Sequence, residues 1–334
     1  MAMWLKRAAY VMVAAVAAPI ATHFVRPTFD VHTSGIIVVS GASSGIGASA
    51  ALKLASLGFT VLAGVRDLRD GEALEDAFLG GKAGGAVVPF RLDVTDAASV
   101  AGAAEAAASL AIARGLNVVG VLCNAGVISP ALPVEMGDPA ADARLFSVNY
   151  YGAKALAVAM LPQLRASRGR LVLVSSLAGH IAAPFGQPYS ASKFAVRSLG
   201  DALRAELRPS GVSVSRVDPG FVDTPILGAS KGGQAGGWFG TEVFGALPAT
   251  TRAPYAEHFA AVSSKLAQSA ARAFSTASTD SAIAHAFTSA RPQAAYHPGS
   301  VEGLPARFAV GAFALLGAVD PAWQDLVANA AAAM

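Results

Sequence analysis

The chain is expected to fold as an α/β protein built on a doubly wound parallel sheet. Three observations predict this. From residue 35 onward, short apolar runs alternate with stretches of helical periodicity. The runs are continuously apolar, as strands are when helices cover both faces of a sheet. The first run ends in a glycine-rich turn that opens directly into a helix, the arrangement that places a ligand beyond the carboxyl ends of parallel strands.

The elements follow in order. GIIVVS at 35–40 predicts the first strand. Ile46, Ala50, Leu54 and Leu57 then recur at helical spacing, and Gly58 stops that helix. FTVLAGV (59–65), AVVPFRLDV (86–94) and NVVGVLCNAG (117–126) predict strands two to four, with an alanine-rich helix over about 96–113 between the last two. A long helix is expected over about 138–166, ending near Ser167-Arg168-Gly169. RLVLVSS (170–176) is the fifth strand. The next helix carries Tyr189 and an apolar stripe of Val196, Leu199, Leu203 and Leu207, and runs to about Arg208. VSVSRV (212–217) is the sixth strand. The rhythm breaks after Thr224: 228–240 is glycine-rich, about 250–290 reads as helical, QAAYHPG (293–299) offers a short seventh strand, and 307–319 is a compact apolar stretch.

Composition narrows the classes. The 334 residues are 54% apolar and only 14% charged, enough to bury a large core and to touch a membrane. A formal net charge of +3 without a basic run gives no reason to expect a nucleic-acid partner. Cys123, the one cysteine, sits in an apolar run and reads as core filler, with no internal disulfide. Six scattered histidines and no cysteine pair predict no metal site, and His180 reads as a loop residue. At the amino end, Lys6 and Arg7 precede an apolar run over 8–21 that is shorter than a comfortable membrane span. It resembles a signal anchor or signal peptide. A transit peptide and a helix packed on the domain are the alternatives.

Two motifs carry chemistry. In SGASSGIG (40–47), Gly41 permits a tight turn, Gly45 lets a pyrophosphate approach and Gly47 allows close helix–strand packing, so backbone N–H groups and a helix N-terminus face a dinucleotide. In GQPYSASKFAV (186–196), Tyr189 and Lys193 lie one helical turn apart on one face. A nearby ammonium favours the phenolate and lowers the phenol pKa, which suits proton transfer to or from a carbonyl oxygen. Taken alone, the pair could equally be two surface side chains.

Seven pieces occur in a recognisable order: SGASSGIG, LDV (92–94), NAG (124–126), SVNYYG (147–152), RLVLVSS, YSASK (189–193) and DPGFVDT (218–224). Jointly they resemble the short-chain dehydrogenase/reductase family, in its non-extended branch, over about residues 34–226. Ser40 stands where that family more often has threonine. The resemblance implies a Rossmann-type single domain over 30–334, with a substrate-covering helical segment at 223–290 and residues 1–29 as an anchor or targeting segment. It implies Tyr189 as general acid/base, Lys193 as the group that lowers its pKa and binds the nicotinamide ribose, Ser176 on the substrate oxygen, and Asn149 positioning a water that links Lys193 to solvent. It also implies Asn124, Ala125 and Gly126 along the adenosine, Asp93 and Val94 at the adenine, and Pro219, Gly220, Val222 and Thr224 at the carboxamide, with Ile46 in the glycine turn. Residues 179–226 are further similar to the retinol and 17β-hydroxysteroid dehydrogenase group.

The coenzyme expectation is NADP(H), with NAD(H) as the alternative. The second strand ends at Val65-Arg66 rather than at the acid that reads a free ribose. Arg66 can grip a 2′-phosphate and Ser43 and Ser44 can add hydroxyls, unless Arg66 pairs with Asp67 or Asp67 itself reaches the ribose. Trp238, Phe239, Phe244, Tyr255 and Phe259 in the covering segment suit a lipophilic, steroid- or retinoid-like substrate, or else serve only to pack that segment. Reduction of 3-oxoacyl thioesters or xenobiotic carbonyls is the alternative activity, and a non-catalytic dinucleotide-binding protein the alternative class. The expected location is a membrane, favouring the endoplasmic reticulum over another organelle or the cytoplasm. A homodimer is left open.

Overall fold

A computed structural model describes residues 27–78, 84–227, 241–301 and 304–305. The N-terminal apolar run, the glycine-rich segment with Trp238 and Phe239, and the apolar stretch 307–319 lie outside the described residues.

The strands, buried along their whole length at the five central positions of the sheet, need cover on both faces. They are β1 (Ile36–Ser40), β2 (Thr60–Val65), β3 (Ala86–Arg91), β4 (Val118–Cys123), β5 (Arg170–Val174), β6 (Ser213–Val217) and a two-residue β7 (Ala295–Tyr296). All pair in parallel, in the order β3-β2-β1-β4-β5-β6-β7. Successive residues of β1 point to opposite faces. Ile37 and Val39 join a core completed by helices α1 (Gly45–Ser56), α2 (Leu68–Phe78) and α10 (Ala277–Thr288). Ile36 and Val38 join the opposite core, completed by α3 (Ala97–Arg114), α5 (Ala153–Ser167) and α6 (Gln187–Leu207). The strand order reverses between β1 and β4, which puts the crevice of a doubly wound fold at their carboxyl ends.

Four differences from the sequence reading have physical causes. Helix α2 is not predicted, because its sequence is charged, carries Gly71 mid-way and buries only Gly71 and Leu74. Gly71 is needed there: a Cβ would stand 2.7 Å from the Pro89 Cβ on β3. The long helix is three pieces, α4 (Pro139–Phe146), a π-helical turn (Ser147–Gly152) and α5. Strands β3, β4 and β5 stop before LDV, NAG and Ser175-Ser176, so those motifs occupy loops at the carboxyl edge. The region after residue 240 folds as α7 (Thr241–Ala246), α8 (Ala249–Arg252), α9 (Ala256–Ala271) and α10, interrupted where Phe274 bridges Val222. Among the described residues no helix is long and apolar enough to cross a membrane.

Candidate active site

The glycine turn is shaped by contacts no larger residue could make. Gly41 and Gly45 have φ of 65° and 54°, in the left-handed region that favours glycine. A Cβ on Gly47 would fall 2.1 Å from the Gly41 carbonyl oxygen, and one on Gly45 would stand 3.0 Å from the Thr224 Cβ. Helix α1 starts behind Ser44 without a side-chain cap and without an acid in its first turn, so its N-terminal N–H groups are open to an anion. Ser43 and Ser44 are exposed beside it, and Ile46 packs partly into the core. These residues fit a dinucleotide pyrophosphate. Across the turn, Asn124 Nδ2 donates to the carbonyls of Ser40 and Gly41, both at 3.1 Å. The Ser40 hydroxyl accepts from the N–H groups of Asn124 and Ala125 at 3.0 and 3.1 Å. Serine therefore suffices at position 40, and Asn124 locks β1 to β4 rather than presenting its amide to a ligand.

Helix α6 begins at Gln187 with Pro188 in its first turn, carries Tyr189 and Lys193, and brings Lys193 to the end of β5. Lys193 is buried, donates from Nζ to the Val174 carbonyl at 3.2 Å, and lies 5.7 Å from the centre of the Tyr189 ring. Burial pulls its ammonium down to about 8, opposed by the Asp218 carboxylate. Burial pushes the Tyr189 phenol up to about 12, and the Ser176 hydroxyl, hydrogen-bonding it, acts in the other direction. The sequence expectation that Lys193 lowers the phenol is thus corrected. Desolvation is the largest cause, the net shift is upward, and the phenol holds its proton at neutral pH.

Ser176 caps the 3₁₀ turn Leu177–Gly179 by accepting from Ala178 N at 3.1 Å, and its hydroxyl also points to Pro219 O at 3.5 Å. Its neighbour Ser175 donates to the Lys193 carbonyl at 2.9 Å and so fastens α6. Asn149 sits in the π-helical turn, a feature frequent at functional sites. Its amide accepts from Val127 N at 2.8 Å and donates to Val127 O and Ser192 Oγ, both at 3.0 Å. A Cβ on Gly126 would lie 3.5 Å from both Asn149 Oδ1 and Lys193 Nζ, so glycine keeps the space between them open.

A short chain dehydrogenase profile matches residues 35–234. The chain belongs to the short-chain dehydrogenase family. It is 32% identical over 276 residues to the mitochondrial D-beta-hydroxybutyrate dehydrogenase of Rattus norvegicus, covering 80% of this chain and 78% of that protein. It is 31% identical over 272 residues to retinol dehydrogenase 5 of Mus musculus, covering 80% and 81%. Among solved structures it is similar to an alcohol dehydrogenase of Thermococcus sibiricus complexed with 5-hydroxy-NADP (28% identity, TM-score 0.54, 61% of this chain and 83% of that one). It is also similar to a short chain dehydrogenase/reductase of Burkholderia phymatum in complex with NAD (29%, TM-score 0.54, 60% and 70%). The protein is an oxidoreductase acting on CH–OH or carbonyl groups with a nicotinamide dinucleotide.

Within this short-chain dehydrogenase, other sequence candidates fall into three groups. Arg66 is exposed at the end of β2, while Asp67 is held by Arg69 through both carboxylate oxygens. The Arg66–Asp67 pairing weighed from sequence is therefore replaced by Asp67–Arg69. Arg66 instead acts on Asp93, whose carboxyl is held below its ordinary range chiefly by bonds from Thr95. The Val94 side chain packs into the core, where a Cβ on Gly152 would lie 2.6 Å from its Cγ2. Pro219, Val222 and Thr224 are buried beside Gly220, and Thr224 faces Gly45 across the crevice.

After residue 240, Phe244 stacks on Phe259 with centroids 3.9 Å apart, and Phe259 and Tyr255 meet Phe185 edge-on. These three aromatics pack that region onto the loop ahead of Tyr189. Phe185 has a φ of 64°, a strained value for a bulky residue. Sequence reasoning also missed a charged cluster. His180 is no free loop residue, for the fold brings it, Asp218 and His297 within 4.8 Å of one another. The one available signal was Asp218, an acid directly after an apolar strand.

Proposed function

We propose that the protein is an NADP(H)-dependent reductase of lipophilic carbonyl compounds, steroid- or retinoid-like. The observation that carries the reading is the half-buried Tyr189 phenol, protonated at neutral pH and set between Ser176 and Lys193. Tyr189 gives its proton to the substrate oxygen as the carbonyl carbon is reduced, and takes it back in the reverse direction. Ser176 hydrogen-bonds that oxygen. Lys193 supplies positive charge beneath the phenolate that results, and Asn149 holds the π-helical turn that leaves a proton path past Gly126. The dinucleotide, when bound, supplies the hydride.

Its pyrophosphate is held by Gly41, Ser43, Ser44, Gly45, Ile46 and Gly47. Asn124, Ala125 and Gly126 flank the adenosine side, and Pro219, Gly220, Val222 and Thr224 the carboxamide side. The NADP(H) preference is supported by an exposed Arg66 whose neighbouring acid is occupied by Arg69. Substrate class is supported by the aromatic cluster around Phe185 and by the likeness to retinol dehydrogenase 5. The likeness to D-beta-hydroxybutyrate dehydrogenase favours a second reading, a short polar substrate.

Residues 223–290 act as the substrate lid on a catalytic domain spanning 30–334, and residues 1–29 attach that domain to a membrane. The start of the domain is supported by Arg170 holding the Asp30 carbonyl, with Phe29 at the junction donating to Ala290 O at 2.9 Å. The test is steady-state kinetics with NADPH and NADH against retinal, a 17-ketosteroid, an acetoacetyl thioester and acetoacetate. NADPH with retinal or the steroid should give the highest kcat/KM. A preference for acetoacetate, or for NADH, overturns that part of the reading.

A further inference from the structure

The reacting pair sits on two separate pieces of chain. Tyr189 is on α6, and Ser176 is on the short turn after β5. Besides its hydrogen bond to the phenol, the Ser176 hydroxyl is anchored on its own turn only by a 3.1 Å and a 3.5 Å contact, both to loop backbone. Something else must set the distance between that turn and the helix.

The turn is held to α6 at both ends. On its inner end, Ser175 Oγ donates to the Lys193 carbonyl at 2.9 Å. On its outer end, Arg197 Nη1 lies 2.9 Å from His180 Nδ1. Lys193 and Arg197 are one helical turn apart, so the two ties run along one side of α6. Between them Gly179 is pressed against the helix, since a Cβ there would stand 2.9 Å from the Lys193 carbonyl oxygen.

The roles of the His180 nitrogens follow from its partners. A guanidinium only donates, so Nδ1 accepts from Arg197. The ring proton is then on Nε2, which donates to Asp218 Oδ2 at 2.8 Å. Asp218 is fully buried and is fixed in turn by Arg216 Nε, 2.8 Å from Oδ1 and 2.9 Å from Oδ2. Arg216 Nη1 returns to α6 through Asp201 at 3.1 Å. Asp218 begins the loop whose Pro219 carbonyl accepts from Leu177 N at 2.9 Å. One imidazole therefore ties the Ser176 turn, helix α6 and the loop after β6 together. The spacing of His180, Asp218 and His297 would also suit a cation, but the proton on Nε2 occupies the atom that a cation needs, and Arg216 already neutralises the carboxylate.

We propose that His180 is a positioning residue: fixed as the Nε2–H tautomer between Arg197 and Asp218, it holds the Ser176 turn in register with Tyr189. This rests on the reading of Ser176 and Tyr189 as the reacting pair. The test measures kcat, KM, coenzyme Kd and Tm for His180→Ala, His180→Gln, Arg197→Met and the His180→Ala/Arg197→Met double variant, with Tyr189→Phe alongside. The substrate is whichever of retinal, a 17-ketosteroid or acetoacetate the wild type turns over fastest.

His180→Ala should lower kcat by about tenfold or more while coenzyme Kd stays within about twofold, because a misplaced group slows chemistry without touching the coenzyme. Glutamine offers an acceptor and a donor in one side chain, so His180→Gln should recover most of the turnover. Arg197→Met should resemble His180→Ala, and the double variant should be no worse than the poorer single one. Turnover of His180→Ala within twofold of wild type, while Tyr189→Phe is inactive, overturns the proposal. So does a His180→Gln variant as impaired as the alanine one, or losses that add in the double variant. Retained turnover in Tyr189→Phe would instead overturn the reading of the reacting pair.

Discussion

The two halves of the sheet's carboxyl edge hold their functional groups by opposite means. Beside β1 and β2, the shape comes from backbone. Gly41, Gly45 and Gly47 are placed by contacts that exclude a Cβ, and Ser43, Ser44 and Arg66 stand exposed around them. Beside β4, β5 and β6, the shape comes from buried side chains. Asn149, Ser175, Lys193 and Asp218 arrive on different elements and are each fixed by bonds to residues distant in sequence. The first half is built on eight consecutive residues (40–47), braced from outside by Asn124 and Thr224. The second half buries ionisable groups, and the phenol and ammonium both shift against their charged forms. A ligand's charge is met at the first by N–H groups and at the second by a proton held ready.

The sharpest break in this comparison is Tyr189→Phe. It leaves the glycine turn intact, so coenzyme binding should persist while kcat falls by about 10²–10⁴-fold. Stopped-flow turnover together with a fluorescence titration of NADPH separates the two effects, and turnover within a few-fold of wild type would remove Tyr189 from the chemistry. The complementary break is Gly47→Ala. The added methyl would meet the Gly41 carbonyl at 2.1 Å, and relieving such a clash costs about 3 kcal/mol, near a 10²-fold loss in coenzyme affinity. Calorimetry showing unchanged NADPH affinity would mean the turn has room that its geometry denies.

Arg66→Ala sharpens the same half without breaking it. A lost guanidinium–phosphate contact should cut the NADPH-over-NADH ratio of kcat/KM by about tenfold, at little cost in NADH turnover. An unchanged ratio would place 2′-phosphate recognition elsewhere.

The smallest effect is read in stability. Burial holds Lys193 at about 8 against an ordinary value of 10.5. The unfolded chain then binds that proton more tightly than the folded one, so this group lowers stability fully below pH 8 and the penalty is relieved as pH climbs towards 10.5. Between pH 7.5 and 9.5 the wild type should gain about 2 kcal/mol relative to Lys193→Met, measured from urea midpoints. A parallel response of the two proteins would mean the ammonium is better solvated than its burial implies.

Much of the fold was legible because its signals are local. Continuous apolar runs announced the parallel strands, and the one-turn spacing of Tyr189 and Lys193 placed both on α6. Helix α2 escaped because tertiary contact with Pro89 selects a glycine where propensity would ask for alanine. The packing of Val94 escaped because a motif position does not say which way its side chain turns, and here it fills the space that Gly152 leaves. The direction of the phenol's shift was misread for the same reason. Spacing shows that an ammonium is near, but only packing shows how much water both groups have lost.

By itself the sequence determined the order of strands and helices, the glycine turn, and which residue types stand ready for proton transfer, because each depends on neighbours within a turn or two of chain. The tertiary structure decided the electrostatic state of those groups and the meeting of His180 with Asp218 and Arg197. Desolvation and long-range pairing are properties of what surrounds a side chain in space, and the chain's order does not list those surroundings.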